Sequence, residues 1–309
     1  MIGSPVSLPL RDGVELSGLL WTPNGPGPFP ALLMRQPYGA RIASTVVYAH
    51  PSWYAQQGYL VLVLDVRGRG DSGGVFSGFA SEATDGDDAL AWLKAHPICN
   101  GRVGSYGFSY QGLTQLLGTD THLQPDALAP AMCGLDERLH WASEGGAHWW
   151  VLSLSWGLQL AAESCRRRGD QHAWQAIKDC LAGAQQSRHG LALLKQHDSN
   201  NPVLQWLQND PSQTAEWACH QPNPERLCRP MQLLEGWCDP YLRGGLDLWQ
   251  QALKCGGSPE LIIGPWSHLS WDRRVGSCDM GPEACGRVDQ WQLAFFDQHL
   301  RGQKSGREH

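Results

Sequence analysis

Two segments of this chain, FPALLMRQP (29–37) and YLVLVLDVRG (59–68), are apolar at nearly every position. A strand with one wet face alternates apolar with polar residues. Runs without that alternation suit strands covered on both faces, as in a parallel sheet lined by helices. The rest of the first third fits that frame. VSLPLRDGVELSGLLWTP (6–23) gives two strand-like runs around Arg11-Asp12-Gly13, a hairpin signal. YAHPSWYAQQG (48–58) reads as a short helix closed by Gly58. EATDGDDALAWLKAHP (82–97) reads as a longer helix, with Thr84 as the cap and Ala89, Leu90 and Leu93 on one face. It is expected to end at His96, ahead of Pro97. GRVGSYG (101–107) is a third buried strand and YQGLTQLLG (110–118) the helix that follows it. Strand-helix alternation of this kind predicts an α/β class, mostly parallel sheet with helices on both faces.

The rhythm breaks after DALAPAMCGLD (126–136). WWVLSLSWGLQLAAESC, AWQAIKDCLAGAQQ and PVLQWLQND are helix-like, and no strand-like run interrupts them. Strands return at RPMQLLEGWCDP (229–240) and PELIIGPWSH (259–268), each followed by a loop, and RVDQWQLAFFDQHLRG (287–302) forms a last helix. The expected organisation is therefore an α/β core over 1–137 and 227–309, interrupted by an all-helical cap over 138–226.

Bulk properties narrow the function classes. The net charge of −6 and pI near 6.0 carry no nucleic-acid footprint. No apolar run approaches the ~20 residues needed to span a bilayer. The N-terminal MIGSPVSLPLRDG has no basic region leading into an apolar core, so a cytoplasmic location is expected. The ten cysteines include no C-x-x-C pair and read as reduced thiols, although Cys278 and Cys285 bracket a loop and could pair under oxidation. The twelve histidines show no H-E-x-x-H and no His/Cys quartet, so no metal site is expected.

One constellation carries chemistry. In GSYGFSYQG (104–112), Ser109 stands between glycines where a strand runs into a helix. A sharp turn there exposes a serine Oγ and aims the following backbone N–H at a developing oxyanion. The usual elbow is G-x-S-x-G, whereas this chain has Gln111 at the last glycine position and Gly112 one later. A serine also needs a base and a group to hold that base. Asp239 follows one buried strand and His268 the next, so both are expected at the sheet edge where Ser109 emerges. Asp136 is the fallback acid. Asp65 and Asp71, in DVRGRGDSGG (65–74), are read as structural residues pairing with Arg67 or Arg69; the glycines resemble a phosphate loop only faintly, since no G-K-[ST] follows. Tyr38, in RQPYGA (35–40), is expected beside the Ser109 turn, where its hydroxyl could replace a backbone N–H as oxyanion donor.

Taken together, PYG (37–39), DVRGRGDSGG, GRVGSYGFSYQG, LLEGWCDPY (233–241), IIGPWSH (262–268) and FFDQHLRG (295–302) resemble, in order, the serine hydrolases of the cocaine esterase and Xaa-Pro dipeptidyl-peptidase type. The resemblance implies an α/β-hydrolase fold, with Ser109 as nucleophile, His268 as base, Asp239 as orienting acid, and Tyr38 hydroxyl and Tyr110 N–H as oxyanion donors. It implies no cofactor. Family members usually carry a C-terminal jelly-roll domain, for which this sequence leaves no room, so a compact variant or a homodimer is expected. Trp141, Trp149, Trp150 and Trp156 in the cap, with Trp237 and Trp266 beside the acid and base, would then wall a pocket for an apolar or aryl group. A small-molecule ester is the expected substrate. An Xaa-Pro dipeptide or amide, with Glu144 or Glu163 holding its amine, is the alternative, and acyl transfer or cyclisation is the third.

Overall fold

The computed structural model describes residues 2–42, 47–217 and 220–303. Eight strands form one sheet: β1 (Ser4–Pro9), β2 (Glu15–Trp21), β3 (Phe29–Gln36), β4 (Leu60–Asp65), β5 (Cys99–Phe108), β6 (Ala127–Ala131), β7 (Gln232–Cys238) and β8 (Glu260–Ser267). Their spatial order is β1-β2-β4-β3-β5-β6-β7-β8. β1 and β2 make the expected hairpin, β2 runs antiparallel to β4, and β4 through β8 are mutually parallel with β3.

The apolar runs are covered on both faces. Val61 and Val63 of β4 point into a cluster with Tyr54 of helix α1 (Pro51–Gln56) and Phe295 and Phe296 of the C-terminal helix Val288–Arg301. Leu60, Leu62 and Leu64 point the other way, onto Ala89, Leu90 and Leu93 of α2 (Glu82–Lys94). Each buried leucine or valine contributes about 1.5–3 kcal/mol, so this strand alone ties both helical layers to the sheet.

Details depart from expectation in instructive ways. The cap position of α2 is Ser81, and Thr84 lies inside the helix with its hydroxyl donating to the Ser81 carbonyl at 3.1 Å. The helix closes at Lys94, two residues before His96. The loop after β7 contains a helix that the sequence reading missed, Leu242–Lys254. Gly244 and Gly245, poor helix formers, sit in its first turn and hide it.

The chain divides into two compact units, one comprising 1–76, 81–135 and 221–309, the other 77–80 and 136–220. Among the described residues the second holds four α-helices: α4 (Trp150–Arg168), α5 (Gln171–Ala182), α6 (Leu191–His197) and α7 (Pro202–Gln208). Gly169, left-handed at φ 75°, stops α4, and Asp170 starts α5 by accepting from the Ala173 N–H. A two-residue hairpin, Ser143–Glu144 with Ala147–His148, adds a short β element that the sequence reading did not anticipate. Among the described residues no helix is long and apolar enough to cross a membrane. The nine described cysteines are free thiols; Cys219 lies outside the described residues.

Candidate active site

Ser109 links β5 to helix α3 (Tyr110–Leu116) with φ 59° and ψ −128°, a conformation that costs a residue with a Cβ about 1–3 kcal/mol. Its N–H donates to the Ala131 carbonyl of β6 at 2.9 Å, which holds the turn against the neighbouring strand. Its side chain makes no capping hydrogen bond to α3. The displaced glycine now has a reason. A Cβ on Gly112 would lie 2.7 Å from Cβ and 2.8 Å from Sγ of Cys133, just beyond β6, so the close approach falls at 112 and Gln111 is tolerated.

Because β5, β7 and β8 are parallel, their carboxyl ends deliver Ser109, Asp239 and His268 to one edge of the sheet. The Asp239 carboxyl is fully buried, and both oxygens are used. Oδ1 accepts the Tyr241 N–H at 2.7 Å, and Oδ2 lies 2.5 Å from His268 Nδ1. A carboxylate only accepts, so Nδ1 carries the hydrogen and a neutral ring has its lone pair on Nε2. The imidazole is packed between Tyr241, ring centroids 5.0 Å apart, and Phe108, 5.4 Å apart and adjacent to Ser109 in sequence. Asp136, the fallback acid, instead caps the turn 137–142 by accepting the Leu139 N–H at 2.8 Å.

Tyr110 is wholly buried, and its hydroxyl donates to Glu82 Oε1 at 2.8 Å. Glu82 in turn pairs with Arg35 of β3 at 2.7 Å, also buried. The phenol therefore anchors α3 to α2 and β3, leaving only the Tyr110 backbone for any role at the site. Burial, helped by Glu82, pushes the Tyr110 hydroxyl pKa well up, so it stays a donor. Tyr38 follows β3 and is 36% exposed. Its backbone N–H donates to Gln36 Oε1 at 3.2 Å, which holds the residue just past the strand end.

The tryptophans separate. Trp237, at the end of β7, is 66% exposed beside Asp239. Trp266, expected on the pocket wall, is a core residue: it is 2% exposed and its Nε1–H donates to the Ala284 carbonyl at 2.7 Å. The register of β8 shifts between Gly264 and Ser267, the stretch that holds Trp266. Within the helical unit Trp141 is buried against Phe79 and Trp156 stacks on Trp206 at 5.2 Å, while Trp149 precedes α4 and Trp150 is exposed. Glu163 is held by Arg166 through two contacts of 2.7 and 2.8 Å, and Glu144 is exposed. Arg67, expected beside Asp65 or Asp71, pairs with Asp85 and Asp12. No group of three or more described His, Cys, Asp or Glu side chains is arranged to hold a metal ion.

Glu235, four residues before Asp239, gave no signal in the sequence. It is fully buried, and neither oxygen has a hydrogen-bond partner among the described residues. Its carboxyl lies where a Cβ on Gly245 would be, at 2.0 Å. Burial first, then Asp239, pushes its pKa well above the ordinary carboxylate range, so the fold favours the protonated acid. That contribution is complete below the ordinary carboxylate pKa and is lost as pH rises through the raised folded value. Stability should fall in that window by up to about 1.4 kcal/mol per pH unit. Glu235→Gln, neutral at every pH, should flatten this alkaline limb in urea unfolding; an unchanged slope would mean the carboxyl is ionised in the fold.

The X-Pro dipeptidyl-peptidase (S15) family matches residues 12–270. Among curated proteins the chain is similar to the cocaine esterase of Rhodococcus sp. (strain MB1 Bresler), with 28% identity across 98% of this chain and 55% of that protein. Among solved structures, a CocE/NonD family hydrolase from Staphylococcus aureus superposes with a TM-score of 0.66 at 19% identity, covering 98% of this chain and 51% of that one. An aminopeptidase from a marine-sediment Thaumarchaeota archaeon gives 0.62 at 19%, covering 99% and 56%. At such identities the structural likenesses speak to the fold, which is the α/β-hydrolase fold. The chain spans about half the length of these three relatives. The family match runs through the segments that carry Ser109, Asp239 and His268, and by it this chain belongs to the X-Pro dipeptidyl-peptidase (S15) family.

Proposed function

We propose that this chain is a serine hydrolase that cleaves carboxylic esters through an acyl-enzyme. The observation that carries the reading is the 2.5 Å contact between His268 Nδ1 and a buried, doubly engaged Asp239 at the sheet edge that also bears the strained Ser109 turn. In this mechanism His268 Nε2 takes the Ser109 proton as Oγ attacks the ester carbonyl, forming a tetrahedral oxyanion. The Tyr38 hydroxyl and the Tyr110 N–H donate to that oxyanion. On its collapse the protonated His268 gives its proton to the departing alkoxide, and a water, deprotonated by His268, then attacks the acyl carbon and releases Ser109 and the acid.

One feature favours an ester. Tyr38, Trp237 and Leu269 are exposed at or just beyond the carboxyl ends of β3, β7 and β8, apolar surface suited to an alkyl or aryl group. The test is turnover of short-chain and aryl p-nitrophenyl esters beside a Gly-Pro anilide. Ester cleavage is expected; cleavage of the anilide alone would turn the assignment to a peptidase, and transfer to added alcohols or amines would turn it to acyl transfer. Tyr38→Phe should lower kcat by about 10²–10³-fold, the usual worth of one oxyanion donor. Wild-type kcat in that variant would remove Tyr38 from the mechanism.

A further inference from the structure

The glycine-rich segment 65–74 has no place in the proposed chemistry, yet its buried polar groups converge on the loop that carries Tyr38. Asp65 ends β4 and Gln36 ends the adjacent β3. Asp65 Oδ1 accepts the Ala40 N–H at 2.6 Å and Gln36 Nε2–H at 3.3 Å. Gln36 Oε1 accepts the Tyr38 N–H at 3.2 Å. From the far side, Arg69 Nε–H donates to the Pro37 carbonyl at 3.0 Å. Residues 37, 38 and 40 are thus each held by a side chain, and Asp65, Gln36 and Arg69 are all buried.

The segment is folded tightly around that carboxylate. Oδ2 accepts the Asp71 N–H at 3.2 Å, and the Asp65 carbonyl accepts the Ser72 hydroxyl at 2.6 Å. Gly70 has φ 52°, and a Cβ there would lie 2.0 Å from Asp65 Oδ2. The glycine is required by the carboxylate and needs no phosphate to explain it. Arg69 also stacks on Phe76 at 5.0 Å, and Phe76 faces Tyr110 at 6.1 Å. The same segment therefore touches the surroundings of both proposed oxyanion donors.

We propose that Asp65, acting with Gln36 and Arg69, is a positioning residue for the Tyr38 hydroxyl. The inference rests on the reading of Tyr38 as an oxyanion donor. A donor of this kind acts only when it sits 2.7–3.1 Å from the forming oxyanion, and displacement by about 1 Å costs about 10²-fold. Tyr38 lies two residues past the end of β3, so its hydroxyl goes where the backbone of 37–40 sends it. Asp65→Asn preserves size but exchanges one acceptor oxygen for an NH2 donor. With the NH2 toward Ala40 the loop loses its acceptor; with it toward Asp71 the segment that carries Arg69, and with it the bond to the Pro37 carbonyl, is displaced instead.

The experiment is a double-mutant cycle on p-nitrophenyl acetate, using Asp65→Asn, Tyr38→Phe and the pair in the full chain. Asp65→Asn is expected to lower kcat about 10–10²-fold, with KM shifting less than about threefold. In the Tyr38→Phe background it should cost nothing more, because the hydroxyl it positions is gone. A wild-type kcat in Asp65→Asn, or two losses that multiply, overturns the proposal while leaving Tyr38 as a donor. Wild-type kcat in Tyr38→Phe alone overturns the donor reading and this inference with it. Near-ultraviolet circular dichroism checks the fold. Should Asp65→Asn not fold, Gln36→Leu, which removes the acceptor of the Tyr38 N–H and keeps the carboxylate, is put through the same cycle with the same expected and overturning results.

Discussion

Ser109→Ala is expected to reduce ester turnover by about 10⁴-fold or more while leaving the fold intact. The hydroxyl is the reacting atom of the proposed mechanism, yet it makes no capping hydrogen bond to α3, so the helix does not depend on it. The strained backbone at φ 59° and ψ −128° is set by the β5–α3 connection and persists in alanine, which keeps the Cβ. Glycine does not. Ser109→Gly should be as inactive as the alanine variant and more stable, recovering part of the about 1–3 kcal/mol held in the turn. A fluorophosphonate should add its mass to the wild type and to neither variant. Turnover within about tenfold of wild type in Ser109→Ala would move the nucleophile elsewhere.

Legibility in the sequence followed the range of the interactions. The layered α/β architecture could be read because Leu60–Asp65 and Phe29–Gln36 carry apolar residues on both faces, and only a sheet covered on both sides satisfies such strands. The meeting of Asp239 with His268 was also readable. Parallel strands send their following loops to one edge, so placing each residue after a buried strand was enough to bring the two together. Contacts without a local signature were not readable. The reason for glycine at 112 rather than 111 is Cys133, a residue from the next strand-loop unit. Glu235 looked like one polar residue in a strand, and nothing nearby in sequence showed that its carboxyl is pressed against Gly245. The helix Leu242–Lys254 was hidden because those same glycines lower its propensity, while its tertiary packing, with Leu248 and Ala252 buried, stabilises it. Trp266 misled through proximity: two residues from His268 in sequence, it is nonetheless buried in the core.

Asp239→Asn is expected to cost about 10⁴-fold in kcat with little change in the fold, and the reason lies in which oxygen does what. Oδ1 accepts the Tyr241 N–H at 2.7 Å and Oδ2 takes the His268 Nδ1 hydrogen at 2.5 Å. An asparagine has one acceptor oxygen for these two donors. The Tyr241 N–H is fixed by the backbone and cannot change, so the oxygen turns toward it and the NH2 faces His268. An NH2 group donates, which drives the imidazole to the tautomer with its lone pair on Nδ1 and its hydrogen on Nε2. Nε2 can then no longer accept the serine proton. The ring itself need not move, because Tyr241 and Phe108 still pack against it at 5.0 and 5.4 Å. Asp239→Asn should therefore keep the thermal midpoint of the wild type and bind substrate with similar KM, losing kcat alone. Nitrogen NMR of the imidazole would show the tautomer exchange directly. A loss of kcat without that exchange would mean that the carboxylate acts through its charge on the protonated ring, and no loss at all would remove Asp239 from the mechanism.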